Sequence, residues 1–136
     1  MLSYRTQGVT LTEILTVIII IAILAALALP QFATTRERAL SKEAKANLKI
    51  IDAAEKIYRM EVGFYYPYSG TYSDPADINA NLKLSLTENN WDYSITGSSG
   101  SAYTATANRQ GSGGYLDCQY SVSNSSGEPT PNASCP

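Results

Sequence analysis

The chain has 136 residues, 44% of them hydrophobic, a net charge of −2, two cysteines and no histidine. That length holds one domain of ordinary size and leaves little room for a second, and so small a charge does not by itself imply a nucleic-acid or membrane-surface partner. Lacking histidine, the chain has neither the commonest general base nor the commonest metal ligand, and two cysteines cannot build a four-thiolate zinc site, which disfavours the familiar catalytic chemistries while leaving a Lys- or carboxylate-based site open.

Composition is segregated along the chain. A short polar leader carrying one positive charge, Arg5, runs into Gln7-Gly8-Val9. From Ile14 to Leu29 there are sixteen residues without a charge, and only Thr16 among them is polar. Extended back to Val9, the stretch has twenty-one residues and Glu13 as its one ionisable group. As a helix it would be about 31 Å long, the thickness of a bilayer's hydrocarbon core. A buried core helix would show an amphipathic stripe, and this segment is apolar all round. A cleaved signal peptide would use Ala26-Leu27-Ala28 as its cutting site, but Glu13 sits badly at the start of its apolar core and Pro30 lies beside the cut. A retained membrane-spanning helix fits best.

A carboxylate inside a span is costly enough that it normally has a partner or a function. The plain alternative for Glu13 is that it snorkels to the interface, for which Glu is short, and the flanking Thr10 and Thr12 offer it little help. If the chain were cut after Gly8, Val9 would supply a new α-amino group, a fitting counter-charge for Glu13 in low dielectric. Within one helix the two are awkwardly placed, so that pairing is more natural between neighbouring subunits.

The run Gly8-Val9-Thr10-Leu11-Thr12-Glu13-Ile14-Leu15-Thr16-Val17, followed by the apolar stretch and Ala25-Ala26-Leu27-Ala28-Leu29-Pro30-Gln31-Phe32, resembles the N-terminus of type IV prepilins. That family includes the pilins of type IV pili and the pseudopilins of type II secretion systems. The resemblance implies a leader, 1–8, removed by a prepilin peptidase that cuts between Gly8 and Val9 and N-methylates Val9. It implies a transmembrane and assembly helix over 9–30, in which Glu13 guides docking into a helical homopolymer and Pro30 kinks or locally melts the helix. An inner-membrane assembly platform and minor pilins are the further partners it implies, with the chain first in the inner membrane and then in an extracellular pilus or periplasmic pseudopilus. No catalytic residue, cofactor, metal or nucleic acid is expected. Three positions depart from the family's habit: Val9 where Phe is usual, Thr12 where an aliphatic residue is usual, and Ala22 where many members carry Gly. Ala is the better helix former by about 1 kcal/mol, so the stretch before Pro30 should resist unwinding.

Over 31–62 the helical pattern continues and becomes amphipathic. Leu40, Ala44, Leu48, Ile51, Ala54 and Tyr58 form a stripe, and Ala46, Ile50, Ala53 and Ile57 are expected to widen it. Asp52 to Lys56 and Glu55 to Arg59 are acid-before-base i,i+4 pairs, expected on the wet side. Gly63 is a natural stop. Together these predict one helix of roughly fifty residues from Val9, bent near Pro30.

The head, 63–136, begins with Phe64, Tyr65, Tyr66, Pro67, Tyr68 and Tyr72, aromatics suited to packing on the helix or on a neighbour. Pro75 to Leu86 reads either as a short helix or as an irregular connection. Trp91, Tyr93 and Ile95 then alternate with Asp92, Ser94 and Thr96 as a half-buried strand, Gly97-Ser98-Ser99-Gly100 is turn chemistry, and Tyr103 to Ala107 is the hairpin partner. A turn over Gly111 to Gly114, which no helix follows and which is therefore no nucleotide loop, leads to a strand over Tyr115–Val122. The fold class is thus α+β: a long helix, apolar then amphipathic, packed on an antiparallel sheet of three or four strands in the manner of a type IV pilin.

Cys118 and Cys135 lie on the side of the span that export would place outside, where oxidation is permitted. Paired, they would pin the polar tail Ser123–Ser134, as many pilins staple a C-terminal segment; two free thiols are the alternative. Asn124-Ser125-Ser126 and Asn132-Ala133-Ser134 fit a glycosylation sequon that often arises by chance, and no D-x-D-x-D loop supports calcium. The reading that results is a filament subunit, a pilin first and a pseudopilin second, with a membrane-tethered binding module as a remote third.

Overall fold

The computed structural model describes residues 8–111 and 114–136. The leader residues 1–7, the centre of the expected Gly111–Gly114 turn and the side chains of Leu29 and Pro30 lie outside the described residues. Two compact units divide the chain, one ending at Arg36 and the other spanning Glu37–Pro136. Helix α1, Leu11–Val62, belongs to both units, and position 30 is helical within it. Good helix formers on either side, Ala25 to Ala28 before it and Gln31 after it, offset the one donor that proline removes.

In the first unit the aliphatic side chains from Val9 to Leu27 are all exposed. This part of α1 is long and apolar enough to cross a membrane.

In the second unit α1 buries Ala44, Leu48, Ile51 and Ala54, with Leu40 and Tyr58 partly covered. Ala46, Ile50, Ala53 and Ile57 do not widen that buried stripe; they are exposed, and Ile50, Ala53 and Ile57 line an open recess with Ala54 and with Leu82 to Leu84. The face continues instead through Asp52 and Glu55, both buried. Helical period explains the difference, because Ile51, Asp52 and Glu55 follow Leu48 at three, four and seven residues. Gly63, with φ of 93°, ends the helix while its N–H returns to the Arg59 carbonyl at 2.8 Å, as a left-handed C-terminal glycine does.

Beyond the helix come β1 (Gly70–Tyr72), α2 (Pro75–Leu82), β2 (Trp91–Ser98), β3 (Ala102–Arg109), β4 (Gln119–Ser123) and β5 (Thr130–Pro131). Asp74 caps α2 by accepting the Ala76 N–H at 2.8 Å, and Pro75 occupies the first turn where no donor is needed. The five strands lie in sequence order, every neighbour antiparallel. The sheet therefore has the expected meander plus two short edge strands, each too brief to show a period of two.

Trp91, Tyr93 and Ile95 of β2, Tyr103, Ala105 and Ala107 of β3, and Tyr120 and Val122 of β4 share the core with the α1 stripe. On the central strand Ala105 and Ala107 are fully buried among the larger side chains Trp91, Tyr93, Tyr103 and Tyr120. The β2–β3 turn falls one step later than the glycine pattern suggests. Ser99 and Gly100 both have positive φ, 53° and 66°, the two-residue turn that suits strand twist. Gly97 stays within β2, paired with Gly70 and Tyr103, and a Cβ there would clash with the Pro67 carbonyl oxygen. Its lack of a side chain serves close approach, not turning.

Candidate functional site

At the start of α1 the sequence Thr10-Leu11-Thr12-Glu13 closes a reciprocal cap. The Thr10 N–H and hydroxyl both donate to Glu13 Oε2, at 2.8 and 2.7 Å, and the Glu13 N–H donates to Thr10 Oγ1 at 3.3 Å. This is the S/T-x-x-E capping box, a signature visible in the sequence, and it gives Thr10 a larger part in supporting Glu13 than composition alone suggests. Thr16 donates its hydroxyl to the Thr12 carbonyl at 2.8 Å, so the polar groups of this turn satisfy one another in an apolar setting. Val9, Thr12, Glu13, Thr16 and Val17 line a shallow recess on the helix surface. Nothing in the folded chain demands glycine at position 8, since a Cβ built there meets open space.

Two further features of the second unit escape sequence reasoning. Asp52 is held by Tyr103 OH, which donates to Oδ1 at 2.5 Å, and by Lys56 Nζ at 2.6 Å on Oδ2. Glu55, 0% exposed, accepts the Tyr66 N–H on Oε2 at 2.9 Å, while its Oε1 and the Tyr66 hydroxyl have no partner. Burial pushes the Glu55 carboxyl up to about 8, against the pull of the Tyr66 N–H and with the Asp52 charge adding to the rise. Burial, then Asp52, raises the Tyr103 phenol as well. Arg59 does not pair with Glu55; it donates to Tyr65 OH at 3.0 Å and stands over that ring. The helical spacing of Asp52 and Glu55 from Leu48 places both carboxylates on the buried face, although charge alone favours solvent.

Cys118 and Cys135 are joined in a disulfide with Cα atoms 4.6 Å apart. Asn132 adds to that tether: its Nδ2 donates to the Asp117 carbonyl at 2.7 Å and its Oδ1 accepts the Gln119 N–H at 3.2 Å. The amide of the second sequon is thus already engaged. Among the described residues no group of three or more His, Cys, Asp or Glu is placed to hold a metal ion.

No protein-family model and no solved structure matches the chain. Over 65 residues it is 40% identical to the type IV major pilin protein PilA of Myxococcus xanthus, a match covering 48% of this chain and 30% of that protein. Over 61 residues it is 42% identical to the type II secretion system core protein G of Pseudomonas aeruginosa, covering 45% of this chain and 42% of the relative. The chain thus matches less than half the length of either curated relative. Over about half its length the chain, whose apolar helix is exposed, is similar to a type IV major pilin protein and to a type II secretion system core protein.

Proposed function

We propose that the chain is a structural subunit, not an enzyme, that polymerises through its N-terminal helix into a type IV pilus-like extracellular filament. The observation that carries this is the apolar helix surface from Val9 to Leu27, exposed on every side and headed by a capped carboxylate. Such a surface is stable in lipid, and outside lipid only among other apolar helices. A helical array of identical spans supplies that cover, and likeness to a major pilin supports it.

In this reading residues 1–8 are a leader, 9–30 the membrane and assembly helix, 31–62 its amphipathic continuation and 63–136 the head. Prepilin peptidase cuts between Gly8 and Val9 and methylates the new amino group, and Glu13 then meets the Val9 amine of a neighbouring copy. The precursor waits in the inner membrane and enters the filament at an assembly platform with minor pilins. A second reading, a pseudopilin of a type II secretion system, is favoured by the likeness to core protein G.

Mass spectrometry of filaments sheared from cells tests both claims. The expected mature chain begins at N-methyl-Val9; an intact Met1, or a start at Leu29, overturns the processing. Filaments confined to the periplasm and tied to secretion select the pseudopilin.

A further inference from the structure

Segment 63–72 joins α1 to the sheet and carries the aromatic cluster of the head. Tyr58, Phe64, Tyr66, Tyr68 and Tyr72 form a continuous series of ring contacts with centroids 5.3 to 6.0 Å apart. Its outer members, Tyr68 and Tyr72, are 58% and 42% exposed. On the sheet side the segment is held by backbone bonds to the β2–β3 turn, Tyr65 N–H to Gly100 O at 2.9 Å and Gly100 N–H to Tyr68 O at 2.6 Å. On the helix side, Arg59 holds Tyr65 OH, and the Tyr66 N–H rests on one group alone, the buried carboxyl of Glu55.

That carboxyl has one oxygen with a donor and one with none, both out of reach of water. An ionised carboxylate so placed would carry a full charge against a single N–H, whereas the neutral acid leaves one hydroxyl without a partner, a much smaller cost. The surrounding charges do not relieve it. On α1, Asp52 is a second carboxylate one turn away, its oxygens occupied by Lys56 and Tyr103 of β3, and Arg59 is turned to Tyr65. Tyr58, Tyr65 and Tyr66 bring only phenols, and Asp77 of α2 acts on Tyr66 as another negative charge.

We propose that Glu55 is a proton-dependent latch: as the neutral acid it fastens the aromatic segment 63–72 to α1, and on ionising it lets that segment open. The device sets how Tyr68 and Tyr72 are presented at the surface, and it stands on the head alone, whatever the chain assembles into. Because the folded carboxyl titrates near 8 and an open one near 4.5, the closed state is fully favoured below about pH 4.5, is weakened as pH rises through that interval, and has lost the advantage above about 8.

The test is amide hydrogen exchange at Tyr66 in the full chain in detergent micelles, corrected for the intrinsic pH dependence. Protection should fall by up to ~10-fold per pH unit between about 5 and 8 and then level off. Glu55→Gln keeps the shape and an acceptor oxygen without titrating, and should give protection that is flat over the same range. The carboxyl 13C shift of Glu55 in the unaltered chain should titrate near 8, a readout that needs no variant. A midpoint near 4.5, or an unaltered slope in Glu55→Gln, overturns the latch.

Discussion

Thr10 and Glu13 satisfy each other within one turn, so each can be removed with a distinct consequence. Glu13→Ala deletes the carboxylate that, in the proposed filament, faces the Val9 amine of a neighbour. Membrane insertion should be unchanged or improved, since a charge leaves the span, but filament yield should fall at least ~10-fold because one partner of a buried pair is left alone. Glu13→Gln should be milder and still defective. Thr10→Ala keeps the charge but removes the cap, at a cost of about 1 kcal/mol of local helix stability, and leaves the carboxylate unsteered. Its filament yield should lie between the unaltered chain and Glu13→Ala, with Thr10→Ser restoring it. Quantifying sheared filaments alongside cleavage after Gly8 checks all of these, and full yield from Glu13→Ala would sink the pairing. A carboxylate that merely snorkels predicts no loss at all.

Among the elements, those with a sustained period were legible, and those fixed by a single contact were not. The stripe Ala44, Leu48, Ile51 and Ala54 and the alternation Trp91, Tyr93, Ile95 appear in the structure where the pattern puts them, because burial on one face writes itself into every third, fourth or second residue. β1 and β5 escaped, since three residues and two are too few for a period and their pairing comes from the neighbouring strand. Asp52 and Glu55 escaped for the opposite reason: their spacing was right for the core and their chemistry was not, and the partners that meet them inside, Tyr103 on Asp52 and the Tyr66 N–H on Glu55, come from beyond the helix. Gly97 was visible as a glycine, but its role was not, because the Pro67 carbonyl that excludes a side chain is thirty residues earlier. The prediction that follows separates the two roles. Gly97→Ala should destabilise the head by roughly 3 kcal/mol or more, as overpacking against backbone does, and lower its unfolding temperature. A turn glycine moved into a strand would have gained from a Cβ, so an unchanged or raised melting temperature would remove the close-approach explanation.

At the scale of the whole molecule, the two units draw on different physics, and this makes their failures separable. The first has its apolar side chains outward and is stabilised by whatever surrounds it; the second has its own core, a sheet and a covalent tail. Reducing Cys118–Cys135 opens a loop of seventeen residues in sequence separation, worth about 3 kcal/mol by loop entropy. For a head of this size that should lower the melting temperature by roughly 10–20 °C. The loss is bounded, because Asn132 still holds Asp117 and Gln119 by side-chain bonds, and its N–H still reaches the Gln119 carbonyl at 2.9 Å. The Cys118→Ser/Cys135→Ser chain should therefore fold at low temperature with the segment from Ser123 to Pro136 loosened, seen as amide exchange that quickens there beyond the rise in β2 and β3 that the lower global stability brings. Its apolar helix is untouched, so partition into membranes should match that of the unaltered chain in a flotation assay. Loss of membrane partition together with loss of the tail would show that the units depend on each other after all, and would remove the basis for treating the head's stability and the span's assembly as independent properties of one chain.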